Sequence, residues 1–203
     1  TIIKPYVQLI HMNKAAYGHI FDVGTVFTNE YNVNWAEGCL SFNSEVRQWL
    51  TTNRTVRYAV LSSPFWQYME DGQLLIDGRL QDASMDVAAE YMHRTLNALK
   101  GMGITPVVCS PTPQDGNNIG QCLVKAEFFG VDVTACNFSL ANVTERSKAV
   151  YAWLARIAET QDVVFLSDGM CLAGQCLASM DGTFIYRDKG HLSQEGSAFL
   201  GKR

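Results

Sequence analysis

Three short, uninterrupted apolar runs constrain this chain more than any other feature: VRYAVLSS at 56–63, ITPVVC at 104–109 and DVVFLSD at 162–168. Each has the length and β-branched content of a strand, and a strand apolar on both faces suits a parallel sheet covered on two sides. Helical patterns lie between them. Residues 84–99 place Val87, Tyr91, Leu96 and Leu99 near one stripe, opened by Ser84 and stopped by Gly101 and Gly103. Residues 144–160 carry Val150, Trp153, Leu154 and Ile157 in the same way. Further helices are expected over 5–17, from Ser44 through Trp49 and Leu50, and after Ser193; a short strand is expected over 19–27. Asp77-Gly78 and Asp181-Gly182 each predict a tight hairpin. The alternation predicts an α/β fold, a three-layer α/β/α sandwich with a mainly parallel, flavodoxin-like central sheet. Right-handed crossovers then bring the loops beginning at Ser62, Ser110 and Asp168 to the carboxyl edge of that sheet, where such folds bind ligands.

At 203 residues and 47% hydrophobic content the chain can bury the core of one domain. Its formal charge is −4, without a run of Lys or Arg, which argues against a nucleic-acid partner. No apolar run approaches the ~20 residues that span a bilayer. Lys4, His11 and Lys14 interrupt the first apolar stretch and no small-residue cleavage site follows, so it does not read as a signal peptide. Any membrane anchor is expected outside this chain. The six cysteines lack the paired C-x2-C spacing of a metal site, and four scattered histidines offer no cluster, so neither metal nor cofactor is expected. Cys171 and Cys176 flank a short loop, and Cys122 and Cys136 bracket an FFG turn. These spacings suggest an oxidising compartment with Cys171–Cys176 and Cys122–Cys136 paired, and Cys39–Cys109 by elimination among fifteen possible pairings. The alternative is six reduced, buried thiols.

The densest polar cluster is YRDKGHLSQEG at 186–196. A turn of three residues can lay the Asp188 carboxylate on one nitrogen of His191, with Gly190 letting the backbone turn tightly. The other nitrogen then points outward as a base for a hydroxyl nucleophile. The bland alternative is a surface Asp–His contact ahead of a helix cap. On the carboxyl edge, Ser63, Trp66 and Tyr68 are candidate substrate-binding residues: an aromatic face packs well on the C–H groups of a sugar. Their alternatives are a strand terminator for Ser63 and an aromatic plug for Trp66 and Tyr68.

The string DGTFIYRDKGHLSQEGSAFLG resembles the carboxyl-terminal block of SGNH hydrolase-like domains, and most of all that of the periplasmic SGNH domain fused to acyltransferase-3 membrane O-acyltransferases. VRYAVLSSPFW resembles the buried strand of that family that ends near a tryptophan. NNIGQCL with Cys136, and LSDGMCLAGQC, are similar to its two cysteine-bearing stretches. The resemblance implies His191 as catalytic base and Asp188 as its orienting carboxylate. It implies transfer of an acyl group, usually acetyl, through a serine to a hydroxyl of a cell-envelope glycan such as lipopolysaccharide O-antigen or peptidoglycan. It further implies a periplasmic domain tethered to the inner membrane, with the acyl donor delivered by a fused or partner membrane acyltransferase. The family carries its nucleophile in a Gly-Asp-Ser block after the first strand, and no such block occurs here, nor a Gly-x-Asn-Asp oxyanion block. TIIKPYVQLI reads like the helix following that strand, so residues 1–203 are expected to form one SGNH-like domain whose first strand and serine lie upstream. A carbohydrate esterase uses the same machinery. A non-catalytic glycan-binding module on a degenerate scaffold is the reading from another class.

Overall fold

The structure is a computed structural model that describes residues 8–12, 18–28, 30–69 and 72–202. In chain order it contains β1 (Gly24–Val26), α1 (Val33–Thr52), β2 (Tyr58–Ser62), β3 (Gln73–Ile76), β4 (Arg79–Asp82), α2 (Met85–Gly101), β5 (Thr105–Cys109), α3 (Ile119–Phe129) and β6 (Phe138–Ser139). Then come α4 (Glu145–Ala158), β7 (Val163–Val164), α5 (Leu166–Met170), the short strands β8 (Cys171–Leu172), β9 (Gln175–Cys176), β10 (Ser179–Met180) and β11 (Thr183–Phe184), and finally α6 (Gln194–Leu200).

The α/β class is as expected. Strands β2, β5 and β7 form a parallel sheet in that order, and α2 and α4 pack on it and on each other. Ser84 and Thr144 cap α2 and α4 by accepting from the N–H three residues on, which starts each helix where the sequence places it. The inward stripes, Met92, Leu96 and Leu99 with Val150, Trp153, Leu154 and Ile157, join Leu61 and Val108 of the sheet in one core. Burying side chains of this size stabilises by about 1.5–3 kcal/mol each. Both hairpins form: Asp77-Gly78 and Asp181-Gly182 sit at φ of 49° and 73°, and 48° and 75°, the left-handed pair that a two-residue turn demands.

Several expectations are corrected. The helix over 5–17 falls partly outside the described residues, and residues 8–12 within it carry no helix. The helix expected from Ser44 begins at Val33, because the Asn32 side chain already accepts from the Trp35 N–H and caps it. The strand over 19–27 is reduced to β1, since the chain turns at Asp22, whose φ is 63°. The run at 162–168 gives only two strand residues: the Leu166 N–H is taken by the Ser110 hydroxyl at 2.9 Å, and the chain turns into α5. Neither it nor β2 is covered on both faces. Tyr58, Val60 and Val164 point to one side of the sheet, and they are 70%, 67% and 49% exposed. On the same face, Val107 and Cys109 of the central strand are half-buried.

A second cluster lies under α3, a helix that the sequence reading missed although Asn118 caps its start and Gly130, at φ 65°, ends it. Disulfides Cys122–Cys136 and Cys171–Cys176 both form. Cys171 and Cys176 face each other across the hairpin of β8 and β9. The third expected pair does not form: Cys39 and Cys109 remain thiols. Cys39 sits on α1, which packs on β1 and β3, while Cys109 ends the central strand of the parallel sheet. In a chain-entropy treatment, closing loops with sequence separations of 14 and 5 contributes about 3 and about 2 kcal/mol. Alkylation of the denatured, unreduced protein should label only Cys39 and Cys109, as read by peptide mass spectrometry. Reduction should expose four more thiols and lower the unfolding free energy by up to about 5 kcal/mol.

Candidate active site

Residues 186–193 form a tight loop that closes on itself. Tyr186 bridges Leu192, and the Arg187 N–H donates to the His191 carbonyl at 2.8 Å. The loop is anchored at its base by Ser193, which caps α6 by accepting from the Gly196 N–H and donates its hydroxyl to the Phe184 carbonyl at 2.6 Å. Three further contacts hold it from outside. The buried Tyr186 hydroxyl donates to the Pro113 carbonyl at 2.8 Å, the Thr112 hydroxyl donates to the Gly190 carbonyl, and the Gly120 N–H donates to the Asp188 carbonyl at 3.2 Å. Thr112 and Pro113 belong to the segment that leaves β5, so the loop is held at the carboxyl edge of the parallel sheet.

Asp188 and His191 are brought together within this loop. The His191 Nδ1 lies 2.9 and 3.0 Å from the two Asp188 oxygens, and the backbone N–H groups of His191 and Gly190 donate to the same carboxylate at 2.9 and 3.1 Å. The Arg187 guanidinium adds a contact at 3.3 Å. Partial burial alone would push the Asp188 carboxyl up; the two backbone donors and the imidazole outweigh it and hold the carboxyl well below its usual range. Asp188 is therefore ionised at any ordinary pH and can only accept. The hydrogen on Nδ1 follows from that, and a neutral imidazole then carries its lone pair on Nε2. The His191 side chain is 74% exposed, so this nitrogen is reachable by a reacting hydroxyl.

Gly190 does something other than expected. Its backbone is not left-handed, and a Cβ there would come within 2.9 Å of the Gln114 side chain: what the glycine supplies is room. Gly120 supplies more. A Cβ on it would fall inside the Arg187 carbonyl and against the Asp188 nitrogen, so only glycine lets the first turn of α3 press on the dyad loop. Sequence reasoning missed Gly120, Thr112, Tyr186 and Arg187. Only the N-cap asparagine before the glycine of NNIGQCL carried a signal, as the start of a helix.

The other candidates separate. Tyr68 is fully buried, its phenol pushed up by burial, and its ring packs against Gly18, so it offers no face to a ligand. Ser63, which directly follows β2, is buried too, its oxygen accepting from the Phe65 N–H and the Gln67 side chain. Both are thereby corrected as substrate-binding residues. Trp66 stays at the surface, half-buried, with Phe27 edge-on at 5.2 Å and the Arg146 guanidinium 4.1 Å from its ring centre. Ser110 is tied to the Leu166 N–H and the Pro111 carbonyl. Among the described hydrogen bonds, no serine hydroxyl reaches His191. No group of three or more His, Cys, Asp or Glu among the described residues is placed to hold a metal.

The fold and the Asp–His loop together define an SGNH-type domain, and the comparisons agree. The family described as SGNH domain (fused to AT3 domains) matches residues 7–203, and the chain belongs to it. The periplasmic domain of a lipopolysaccharide acetyltransferase from Salmonella ser. Paratyphi A has a similar fold, with TM-score 0.59 and 14% identity. The match covers 81% of this chain and 60% of that one. None of the curated proteins matches the sequence. Among the described residues, no helix is long and apolar enough to cross a membrane.

Gly120→Ala should cost about 1–3 kcal/mol in urea unfolding, the usual range for an overpacked contact, and should disturb the His191 imidazole resonances in NMR. Asp188→Asn should lower the urea midpoint at pH 7. The ionised carboxylate stabilises the fold above its unfolded value near 3.9, and that contribution fades as the pH falls toward the lower folded value. The gap between wild type and variant should therefore narrow at pH 3; an equal gap at both pH values would contradict the carboxylate's role.

Proposed function

We propose that this domain is a serine-dependent O-acyltransferase of a cell-envelope glycan, with His191 as general base and acid and Asp188 as its orienting partner. The observation that carries the reading is the exposed imidazole whose Nδ1 is held by an ionised carboxylate at the sheet's carboxyl edge. Family membership and the similar fold of a lipopolysaccharide acetyltransferase domain support it. In the reaction, a serine hydroxyl attacks the acyl carbonyl while His191 Nε2 takes its proton. The tetrahedral intermediate collapses to an acyl-serine, and the proton goes to the leaving oxygen. A glycan hydroxyl then attacks the acyl-serine, His191 takes that proton and returns it to the serine. Trp66, half-buried on the same edge with Arg146 over its ring, is the aromatic side chain nearest to hand for a contact with the acceptor sugar.

The serine comes from a strand outside this chain. The support is physical: among the described residues β2 lies at the edge of the parallel sheet, and Tyr58, Val60 and Val164 on one face are exposed, whereas parallel sheets are covered on both faces. A strand paired with β2, followed by a helix over that face, completes the sheet and brings its last residue to the edge where His191 waits. The site lies on the extracytoplasmic side, which the two disulfides fit. The acyl donor arrives through the membrane acyltransferase domain to which the family's SGNH domains are fused.

One observation favours a second reading, glycan binding without turnover: no described serine meets His191. The full-length protein separates the two. His191→Ala should lower hydrolysis of p-nitrophenyl acetate by a factor of about 10³ or more, and Asp188→Asn by about 10²–10⁴. Unchanged turnover in His191→Ala would remove the dyad from the chemistry. A wild type that binds glycan but cleaves no ester would establish the binding module. Acetyl appearing on glycan rather than as free acetate distinguishes transfer from deacetylation.

A further inference from the structure

We infer that the carboxyl end of α3 is the surface by which this domain docks onto the membrane acyltransferase domain of its own polypeptide. Helix α3 and the residue pair after it carry four apolar side chains that face water: Val124 at 63% exposure, Phe128 at 81%, Phe129 at 72% and Val131 at 54%. Val124 and Phe128 are one helical turn apart, and the two phenylalanine rings meet edge to face at 5.0 Å. Together these side chains expose on the order of 400–500 Å² of apolar surface, as large as the biggest patch on a typical monomer and of the kind that marks an interaction site.

The patch is rigidly presented. Asn118 caps the start of α3, Gly130 ends it, and Cys122–Cys136 ties its middle to the turn that follows. Exposed aromatics on a stapled helix lose little conformational freedom on docking.

The occupant follows from charge, from the family and from distance. Residues 124–132 carry one Lys, one Glu and one Asp, and Asp132 is held ionised by the Thr134 N–H. Segments that lie on anionic lipid surround their apolar face with Lys and Arg, and this one has a net negative rim. An apolar recess on a protein suits it better, and the family's SGNH domains share a chain with an AT3 domain. The other end of the same helix touches the dyad loop: Gly120 donates to Asp188. Eight residues of helix separate Gly120 from Phe128, about 12 Å at 1.5 Å per residue. Docking through Phe128 therefore holds the Asp188–His191 loop at a short, set distance from the domain that hands over the acyl group. The inference rests on the acyl-transfer reading only for that last consequence.

The test uses the full-length protein in native membranes. A photo-crosslinking p-benzoylphenylalanine at position 128 should give crosslinked peptides that join α3 to the AT3 domain of the same chain. Crosslinks to lipid, to a second copy of this domain, or to nothing would each overturn the docking. Phe128→Ser with Phe129→Ser should lower glycan acylation at least tenfold while p-nitrophenyl acetate hydrolysis stays within twofold; Val124→Lys, on the same face, should act in the same direction. Equal losses of both activities, or of neither, would also overturn it. If the wild type cleaves no ester at all, the acyl-transfer reading fails while the crosslink still decides the docking.

Discussion

The contact between the first turn of α3 and the backbone of Arg187 and Asp188 is what allows a dyad to stand in water. An exposed carboxylate–imidazole pair is worth little by itself, because solvent screens it and two mobile side chains must be ordered. Here the order is imposed by backbone. Gly120 lets a helix approach to hydrogen-bonding distance of the Asp188 carbonyl, while the Gly190 and His191 N–H groups fasten the carboxylate from the other side. The imidazole inherits its orientation from a carboxylate that has almost no freedom left. The Asp–His pair is thus the visible part of a larger device that starts in α3.

That device also joins the two halves of the interior. The core of the parallel sheet is closed by α2 and α4, and the second cluster is closed by α3, two disulfides and two small hairpins. The segment leaving β5 runs between them: Ser110 anchors the chain after β7, Thr112 and Pro113 hold the dyad loop, and the Gln114 carbonyl accepts from the cap of α4. Two prolines in five residues keep this segment extended and out of either helix, which suits a strap that must satisfy polar groups on both sides.

What was legible in the sequence divides along the range of the interactions. The capped helices α2, α4 and α6, the strands β2 and β5, and the Asp-Gly turns are set by neighbours within four residues, and they can be read directly. The pairing of Asp188 with His191 is of the same kind, a three-residue relation inside one turn. The start of α1 was legible in principle at Asn32, but the stripe after it is weak and Ser44 looked like a better cap. The rest depends on contacts of long sequence separation. Nothing local says that Gly120 must admit Arg187, that Ser110 will take the Leu166 N–H and end β7 early, or that Tyr68 will turn inward beneath Gly18 while Trp66 stays outside. The failed Cys39–Cys109 pair is the clearest case, because elimination counts residues and knows nothing of place.

The open face of the sheet and the exposed tip of α3 are both apolar, yet physics assigns them different roles. The sheet face presents side chains beside β2, which lies at the edge among the described strands and leaves backbone donors and acceptors open to water or to an added strand. The α3 tip belongs to a helix whose backbone hydrogen bonds are already closed, capped at one end by Asn118 and at the other by Gly130. It asks for no backbone partner, only for an apolar recess. A strand added at the first surface would extend the sheet, whereas a partner on the second would leave the backbone pairing of the domain unchanged.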